Sequence, residues 1–419
     1  MISELNIRNF KSLESVDLKL GHFNLLVGAN ASGKSNFLDA LRFLQGVGNG
    51  LGIDEILNGK PPSSTNLRWG GIRGGPKLVA FRGKDGSTAE EVEISGCIPE
   101  TSLYEIRRTN LSYQLKFNPE TYKFMQWLGT MECHWHNDEK IYLHYDDVRS
   151  KGLAAGFDVT AREYSRLLKE RGPSLTAQEV ESREGLSPES FNLSPQAVYA
   201  AHILDVLADM QFLDPHPAVL RDYSPKATRL GESGEGFAGL IEEIESSGSK
   251  PALLEWLKEL RPDEVSDLYP LPGAVNDYMA AIKEGNTVFP APAISEGTLR
   301  FIALAAAFFQ LPMPKILVIE EIEKGLHPSR LRLLLELMRS QSKRTGTQVF
   351  ATTHSPTLLN WLTPEDRKTT FVCTRDAESG ATKMRALSEV PNLEELIREN
   401  YNLDQLFEQG WLESVLHES

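Results

Sequence analysis

The stretch "FNLLVGANASGKSNFLDALRFL", residues 23–44, decides the fold. Phe23 to Val27 reads as a buried strand, a glycine-rich turn follows, and Phe37, Leu38, Leu41 and Leu44 then return at helical spacing. Gly28, Gly33, Lys34 and Ser35 fit G-x-x-x-x-G-K-[ST] in the strand–turn–helix setting that a P-loop requires. The chemistry follows from the residue types. Glycines let backbone N–H groups converge on phosphate oxygens, Lys34 reaches the β- and γ-phosphates, and the Ser35 hydroxyl ligates Mg²⁺. A chance glycine turn between a strand and a helix does not account for the full motif. Asn30, Ser32 and Asn36 complete the candidate nucleotide-binding set around this loop.

A phosphate loop says nucleotide and not what is done with it. The second metal ligand and the group that activates water are sought in "PKILVIEEIEKGLHP", residues 314–328. Ile316 to Ile319 has the continuous apolar pattern of a parallel strand buried on both faces, and two carboxylates end it. Glu320 is placed to hold the Mg²⁺ sphere, and Glu321 to polarise the water that attacks the γ-phosphate. Paired acids at a strand end also suit a solvated turn, and the flanking motifs favour the catalytic reading. In "TQVFATTHSP", residues 347–356, another β-rich run ends at His354, where an imidazole can bond the γ-phosphate or the water.

A third element is "SEGTLRFIALAAAFF", residues 295–309: an N-cap serine, a glycine in the first turn, and a strongly helix-forming apolar stretch. An exposed helix start attracts anions, although a plain capped core helix has the same pattern.

In chain order these are P-loop, serine–glycine helix start, double-acid strand and strand-end histidine, the motif order of ATP-binding-cassette ATPases. "IRNFKSL", "GANASGKSN", "SEGTLR", "IEEIEKGLHP" and "TTHSP" resemble the branch that holds the RecF and SMC proteins and the overcoming-lysogenisation-defect nucleases. Within that branch the chain resembles the stand-alone AAA family ATPases of bacterial phage-defence operons. The resemblance implies an α/β P-loop NTPase head with a mixed central sheet, an antiparallel β lobe and a helical insertion. It implies ATP and Mg²⁺ as ligands, and two heads docked head to tail, or a higher oligomer. Ser295, Gly297 and Thr298 would then meet the γ-phosphate bound at Lys34 of the partner subunit. The implied role is ATP-driven sensing or scaffolding for a separately encoded nuclease. A DNA repair or processing ATPase acting on DNA, and a nucleotide-locked hub with negligible turnover, are the rivals. Two departures stand out: Ile322 where the family often has proline, and Glu296 where transporters commonly have glycine. The glutamine that senses Mg²⁺ in the family is open among Gln45, Gln114 and Gln126.

Composition bounds these readings. The 419 residues carry a formal net charge of -14, which argues against a surface coated for sequence-blind DNA binding but leaves a local basic groove open. Cys97, Cys133 and Cys373 are scattered without a CxxC pair, so neither a disulfide framework nor a zinc knuckle is expected. The longest apolar run, Phe301 to Leu317, is broken by Pro312 and Pro314, and a cytoplasmic chain with no membrane segment is expected.

Three regions are expected: 1–150 as the N-terminal ATPase lobe, 151–285 as a helical insertion, and 286–419 as the C-terminal lobe. "KLVAFRG", "EEVEISGCI", "SYQLKFN" and "IYLHYDD" read as strands of the first lobe. Arg68, Arg73, Lys77, Arg82 and Lys84 form a basic cluster there, more readily a solvated strand edge than a DNA groove. Cys133, His134, His136 and His144 match no common zinc spacing. "GFDVTAREYSRLLKER", "PQAVYAAHILDVLADMQFLD" and "FAGLIEEIESSG" read as helical, without the sustained heptads of a long coiled coil. About 65 residues follow His354, too few for an added nuclease domain of ordinary size, and "TRDAES" reads as a hairpin turn.

Overall fold

The computed structural model describes residues 1–60, 69–100, 108–118, 123–134, 140–144, 195–260, 265–399, 401–411 and 414. The chain divides into two compact units, each assembled from several segments.

The first unit comprises Met1–Leu20, Ser35–Asp209 and Arg375–Lys383. Its frame is a six-stranded antiparallel sheet of β1 (Glu4–Phe10), β2 (Leu13–Lys19), β4 (Val92–Glu100), β5 (Arg108–Asn118), β6 (Lys123–His134) and β7 (Lys140–His144), in the order β2-β1-β4-β5-β6-β7. In β4 the inward residues Val92, Ile94 and Ile98 alternate with half-buried ones, the period-two pattern of a sheet with one covered face. The P-loop helix, Lys34–Gly48, enters this unit from Ser35 onward. Its Phe43 ring stacks on Phe117 at 4.8 Å and meets Phe10 edge-on at 6.1 Å. Phe37, Leu38, Leu41 and Leu44, the residues at helical spacing, are all buried.

Of the strands expected here, "KLVAFRG" instead forms a short 3-10 turn, Pro76–Leu78, followed by isolated bridges. Arg68, His136 and the segment 156–171 lie outside the described residues, as do the side chains of Gln126, Cys133, His134 and His144. Three of the described basic side chains are engaged internally: Arg73 bonds Asp39, Arg82 donates to the Lys77 carbonyl at 2.7 Å, and Lys84 to that of Ala377. "TRDAES" closes a turn in which Asp376 accepts from the Ser379 and Glu378 N–H groups.

The second unit comprises Gly21–Lys34, Met210–Thr374 and Met384–Ser419. Its central sheet contains β3 (Phe23–Val27), β8 (Met210–Leu213), β13 (Ile316–Ile319), β14 (Gln348–Thr353), β15 (Thr370–Arg375) and β16 (Thr382–Ala386), in the order β16-β15-β3-β14-β13-β8. The pairs from β15 to β8 are parallel. Every residue of β3, β8, β13 and β14 is buried, as expected for strands covered on both faces. The helix Glu296–Ala306 is buried from Thr298 to Ala306, which explains why Phe301–Ala306 is apolar on every face.

A smaller antiparallel sheet is built from β9 (Ser224–Pro225), β10 (Asp267–Pro272), β11 (Asp277–Glu284) and β12 (Thr287–Pro290). The stretch 195–285 does hold helices, at Pro195–Ala208, Phe237–Ser246 and Lys250–Leu260. It also supplies β8 to β11. In "ADMQFLD" a strand follows the helix Pro195–Ala208 almost at once, and hydrophobic periodicity cannot separate four apolar residues of buried strand from a continuing helix.

Candidate active site

Register brings the candidate residues to one edge of the parallel sheet. Val27 pairs with both Thr353 and Val372, and Ile319 with both Ala351 and Leu213. The residues that follow these strand ends, Gly28, Asp214, Glu320 and His354, therefore gather at the carboxyl side of the sheet. In open parallel α/β sheets that is the side where ligands bind.

The P-loop geometry fits a nucleotide phosphate. A Cβ on Gly28 would lie 2.3 Å from the Cys373 carbonyl oxygen and 2.7 Å from Ser32 Oγ, so only glycine lets the strand turn here. Gly33 has φ +106°, a conformation that residues with a Cβ avoid. Lys34 Nζ donates back to the carbonyls of Gly28 at 2.6 Å and Ala29 at 2.8 Å. Burial pushes the Lys34 pKa below the ordinary lysine value, against the opposing influence of the Glu323, Glu321 and Glu320 carboxylates. The Cys373 thiol, wholly buried, is itself pushed up to about 12, so it is neutral at ordinary pH. Glu320 is a carboxylate and Ser35, in the other unit, a hydroxyl, each a hard oxygen donor of the kind that suits Mg²⁺. Asn30 is exposed on the loop and Ser32 is buried within it. Asn36, in the other unit, donates from Nδ2 to Ser12 Oγ at 2.6 Å, a structural use of that amide.

The double acid is held through its backbone. Glu320 N–H donates to the Leu213 carbonyl at 3.2 Å. Glu321 has φ +50°, and its N–H donates to Thr352 Oγ1 at 2.9 Å, while Ile322 N–H donates to the Thr352 carbonyl at 3.0 Å. His354 is oriented by a residue that sequence reasoning missed. Glu323 Oε1 accepts from the His354 backbone N–H at 2.7 Å and pairs with its Nδ1 at 2.9 Å. With Nδ1–H committed to Glu323, neutral His354 presents Nε2 as an acceptor for water, and protonated His354 presents it as a donor for phosphate.

The serine–glycine helix start lies in the same unit. Ser295 caps Glu296–Ala306, its Oγ accepting from Thr298 N–H at 3.3 Å and lying 2.7 Å from Thr298 Oγ1. Arg330 Nη1 donates to Thr298 Oγ1 at 2.9 Å. A Cβ on Gly297 would lie 2.4 Å from the Gly325 carbonyl oxygen, so this glycine is required by packing within the chain itself.

Two more charged residues join these parts. Arg300, 2% exposed, donates from Nη1 to Asp214 Oδ1 at 2.8 Å and to the Pro215 carbonyl at 2.7 Å. Its Nη2 reaches the Glu320 and Glu321 carbonyls at 3.3 and 3.2 Å. Asp214 also bonds Lys324 Nζ at 3.0 Å. Burial works to raise the Asp214 carboxyl, but the hydrogen bonds from Lys324 and Arg300 outweigh it, and its pKa lies below the ordinary aspartate value. An arginine inside the apolar run "LRFIALAAAFF" was the available signal, since such a charge is buried only with partners. Of the candidate Mg²⁺-sensing glutamines, Gln114 in β5 bonds Glu93 and Gln45 lies on the P-loop helix.

The comparisons agree with this architecture. Residues 186–360 match the family described as "AAA domain, putative AbiEii toxin, Type IV TA system", and residues 1–61 match "AAA ATPase domain". An "ATP/GTP phosphatase" of Helicobacter pylori (strain ATCC 700392 / 26695) is 21% identical over 402 residues, covering 88% of this chain and 90% of that protein. The "DNA replication and repair protein RecF" of Glaesserella parasuis serovar 5 (strain SH0165) is 50% identical over 44 residues, 10% of this chain and 12% of that protein. Among solved structures, an SMC head bound to the C-winged helix domain of ScpA superposes with a TM-score of 0.51 at 16% identity, covering 95% of this chain and 99% of that one. The fold is that of an SMC-head-like, ABC-type P-loop NTPase, with AAA-type ATPase domain matches at the P-loop and across the double-acid region. No helix among the described residues is long and apolar enough to cross a membrane.

Proposed function

We propose that the chain hydrolyses ATP, dimerises head to tail around two nucleotides, and serves as a sensor or scaffold for a separately encoded nuclease in antiphage defence. The observation that carries the hydrolytic part is the gathering of Lys34, Glu320, Glu321 and the Glu323–His354 pair at the carboxyl edge of one parallel sheet. Mg²⁺ bound with the nucleotide supplies charge neutralisation at the phosphates.

Each residue then has a defined task. The loop from Gly28 to Lys34 receives the phosphates, and Lys34 exchanges its two carbonyl partners for phosphate oxygens. Ser35 and Glu320 would hold the metal. Glu321 takes the proton of the attacking water, and His354, fixed by Glu323, bonds the water or the γ-phosphate.

The Ser295 turn, with Gly297 and Thr298, engages the nucleotide held by the partner head. Loss of the γ-phosphate removes that contact and opens the dimer. The resemblance to the RecF and SMC branch supports this assembly, and the SMC head solved with part of ScpA supports a protein partner. The likeness to phage-defence ATPases supports the nuclease role.

Light scattering of Glu321→Gln with and without Mg-ATP tests the proposal, alongside the same chain carrying Ser295→Arg. Mg-ATP should roughly double the mass of the first and leave the second unchanged. A mass that ATP does not alter in Glu321→Gln defeats the head-to-tail reading.

A further inference from the structure

Glu321 sits in the left-handed region, φ +50°, where a residue with a Cβ stays only if its surroundings hold it. Two side chains do so. Thr352 Oγ1 accepts its N–H at 2.9 Å, and Arg300 Nη2 donates to its carbonyl at 3.2 Å. Arg300 is itself fixed by Asp214 and the Pro215 carbonyl, and shares Nη2 with the Glu320 carbonyl. The planar fork of a guanidinium can serve these four acceptors together, which the single ammonium of lysine cannot. Arg300 lies five residues beyond Ser295 on one buried helix, and a close-packed interior transmits strain along it.

We infer that Arg300 is a positioning residue that locks the Glu321 peptide and links it mechanically to the Ser295 turn. The linkage rests on the head-to-tail reading proposed above. In that arrangement the Ser295 turn of one subunit meets the nucleotide of its partner, while Arg300 of the first subunit sets the acid that acts on its own nucleotide. Filling one site thereby orders the acid at the other, and hydrolysis is cooperative in ATP. Arg300 touches no nucleotide atom in this scheme and acts only through Glu321.

Steady-state hydrolysis by the full chain across ATP concentrations, with thermal unfolding in parallel, tests the inference. Arg300→Lys keeps the charge and loses the fork. Its kcat should fall at least about tenfold while KM changes by less than about threefold, the signature of a displaced reacting group rather than lost binding. Its Hill coefficient should fall from above one to one. A kcat within about twofold of the unaltered chain, or an unchanged Hill coefficient, overturns the inference.

Thr352→Val provides a second measurement should Arg300→Lys fail to fold. Thr352 holds the same peptide but has no tie to the Ser295 turn, so kcat should fall while the Hill coefficient stays above one. Loss of cooperativity in Thr352→Val as well would place the coupling elsewhere and reject the role of Arg300. An unaltered chain with a Hill coefficient of one, whose Glu321→Gln form also fails to assemble with ATP, rejects the linkage together with the head-to-tail reading. Positioning of Glu321 is then judged by the Arg300→Lys kcat alone.

Discussion

Two helix starts in this molecule look alike in sequence and are finished differently. Both carry a glycine that can bear no side chain: at Gly28 a Cβ would meet the Cys373 carbonyl, and at Gly297 that of Gly325. At the P-loop the only side-chain cation, Lys34, is folded onto the loop's own carbonyls, where an arriving anion can draw it away. At the Ser295 turn the chain has already capped itself, with the serine hydroxyl on Thr298 N–H and Arg330 on the Thr298 hydroxyl. In the proposed reading the first start is an internal ion site whose lysine exchanges partners. The second is a finished helix end that offers an anion only the donors its cap leaves over. On the head-to-tail proposal, the same chemistry of helix termini would yield a site that binds within one chain and a surface suited to a ligand already held by another.

The contrast can be broken most sharply at Lys34. Lys34→Ala should weaken ATP binding about a hundredfold, as expected when charge-assisted bonds worth ~3 kcal/mol are lost. Titration calorimetry measures this, and an affinity within a few-fold of the unaltered chain would contradict the exchange picture. Next in size is the glycine pair. Gly28→Ala and Gly297→Ala should each lower stability by roughly 1–3 kcal/mol, because the new methyl meets backbone rather than a movable side chain. They should part in function: the first abolishes ATP binding, and the second retains it while losing ATP-driven assembly. Equal loss of ATP binding in both would erase the distinction.

A smaller effect is expected at the cap. Ser295→Ala should cost about 1 kcal/mol of stability in a denaturant titration, with ATP affinity unchanged. The smallest concerns pH. The folded-state pKa of Lys34 is lowered by burial from the ordinary 10.5, so between the two values the unfolded chain binds the additional proton. This group's contribution to stability therefore rises with pH through that alkaline window. ATP affinity should decline through the same window, as the free site loses its cation earlier than an ordinary lysine would. Binding isotherms from pH 7 upward would detect the decline, and affinity that stays level to the ordinary lysine value would refute it.

What the sequence disclosed, and what it did not, follows from the physics of each element. β3, β13 and β14 were readable because each is a short, mostly apolar or β-rich run that stops at a chemically distinctive residue. The capped helix at Ser295 was readable because its cap and glycine lie within the same turn. β8 was hidden because its four apolar residues follow a helix at once. The left-handed Glu321 has no sequence signature, since Thr352 and Arg300, the groups that impose it, lie 31 and 21 residues away in the chain. Glu323 could have been suspected from the acidic run "EEIEK", but only folding shows that it serves His354.

β8 has a consequence for the durability of the molecule. It covers the outer side of β13, whose four residues Ile316–Ile319 are all aliphatic. A chain trimmed of 195–285, or one in which β8 peels away under stress, would present "ILVI" as a bare edge with its N–H and C=O groups unpaired. Such an edge recruits other strands into aggregates. The stretch that reads as an accessory insertion is also the guard that keeps the most sticky strand of the sheet out of the wrong company.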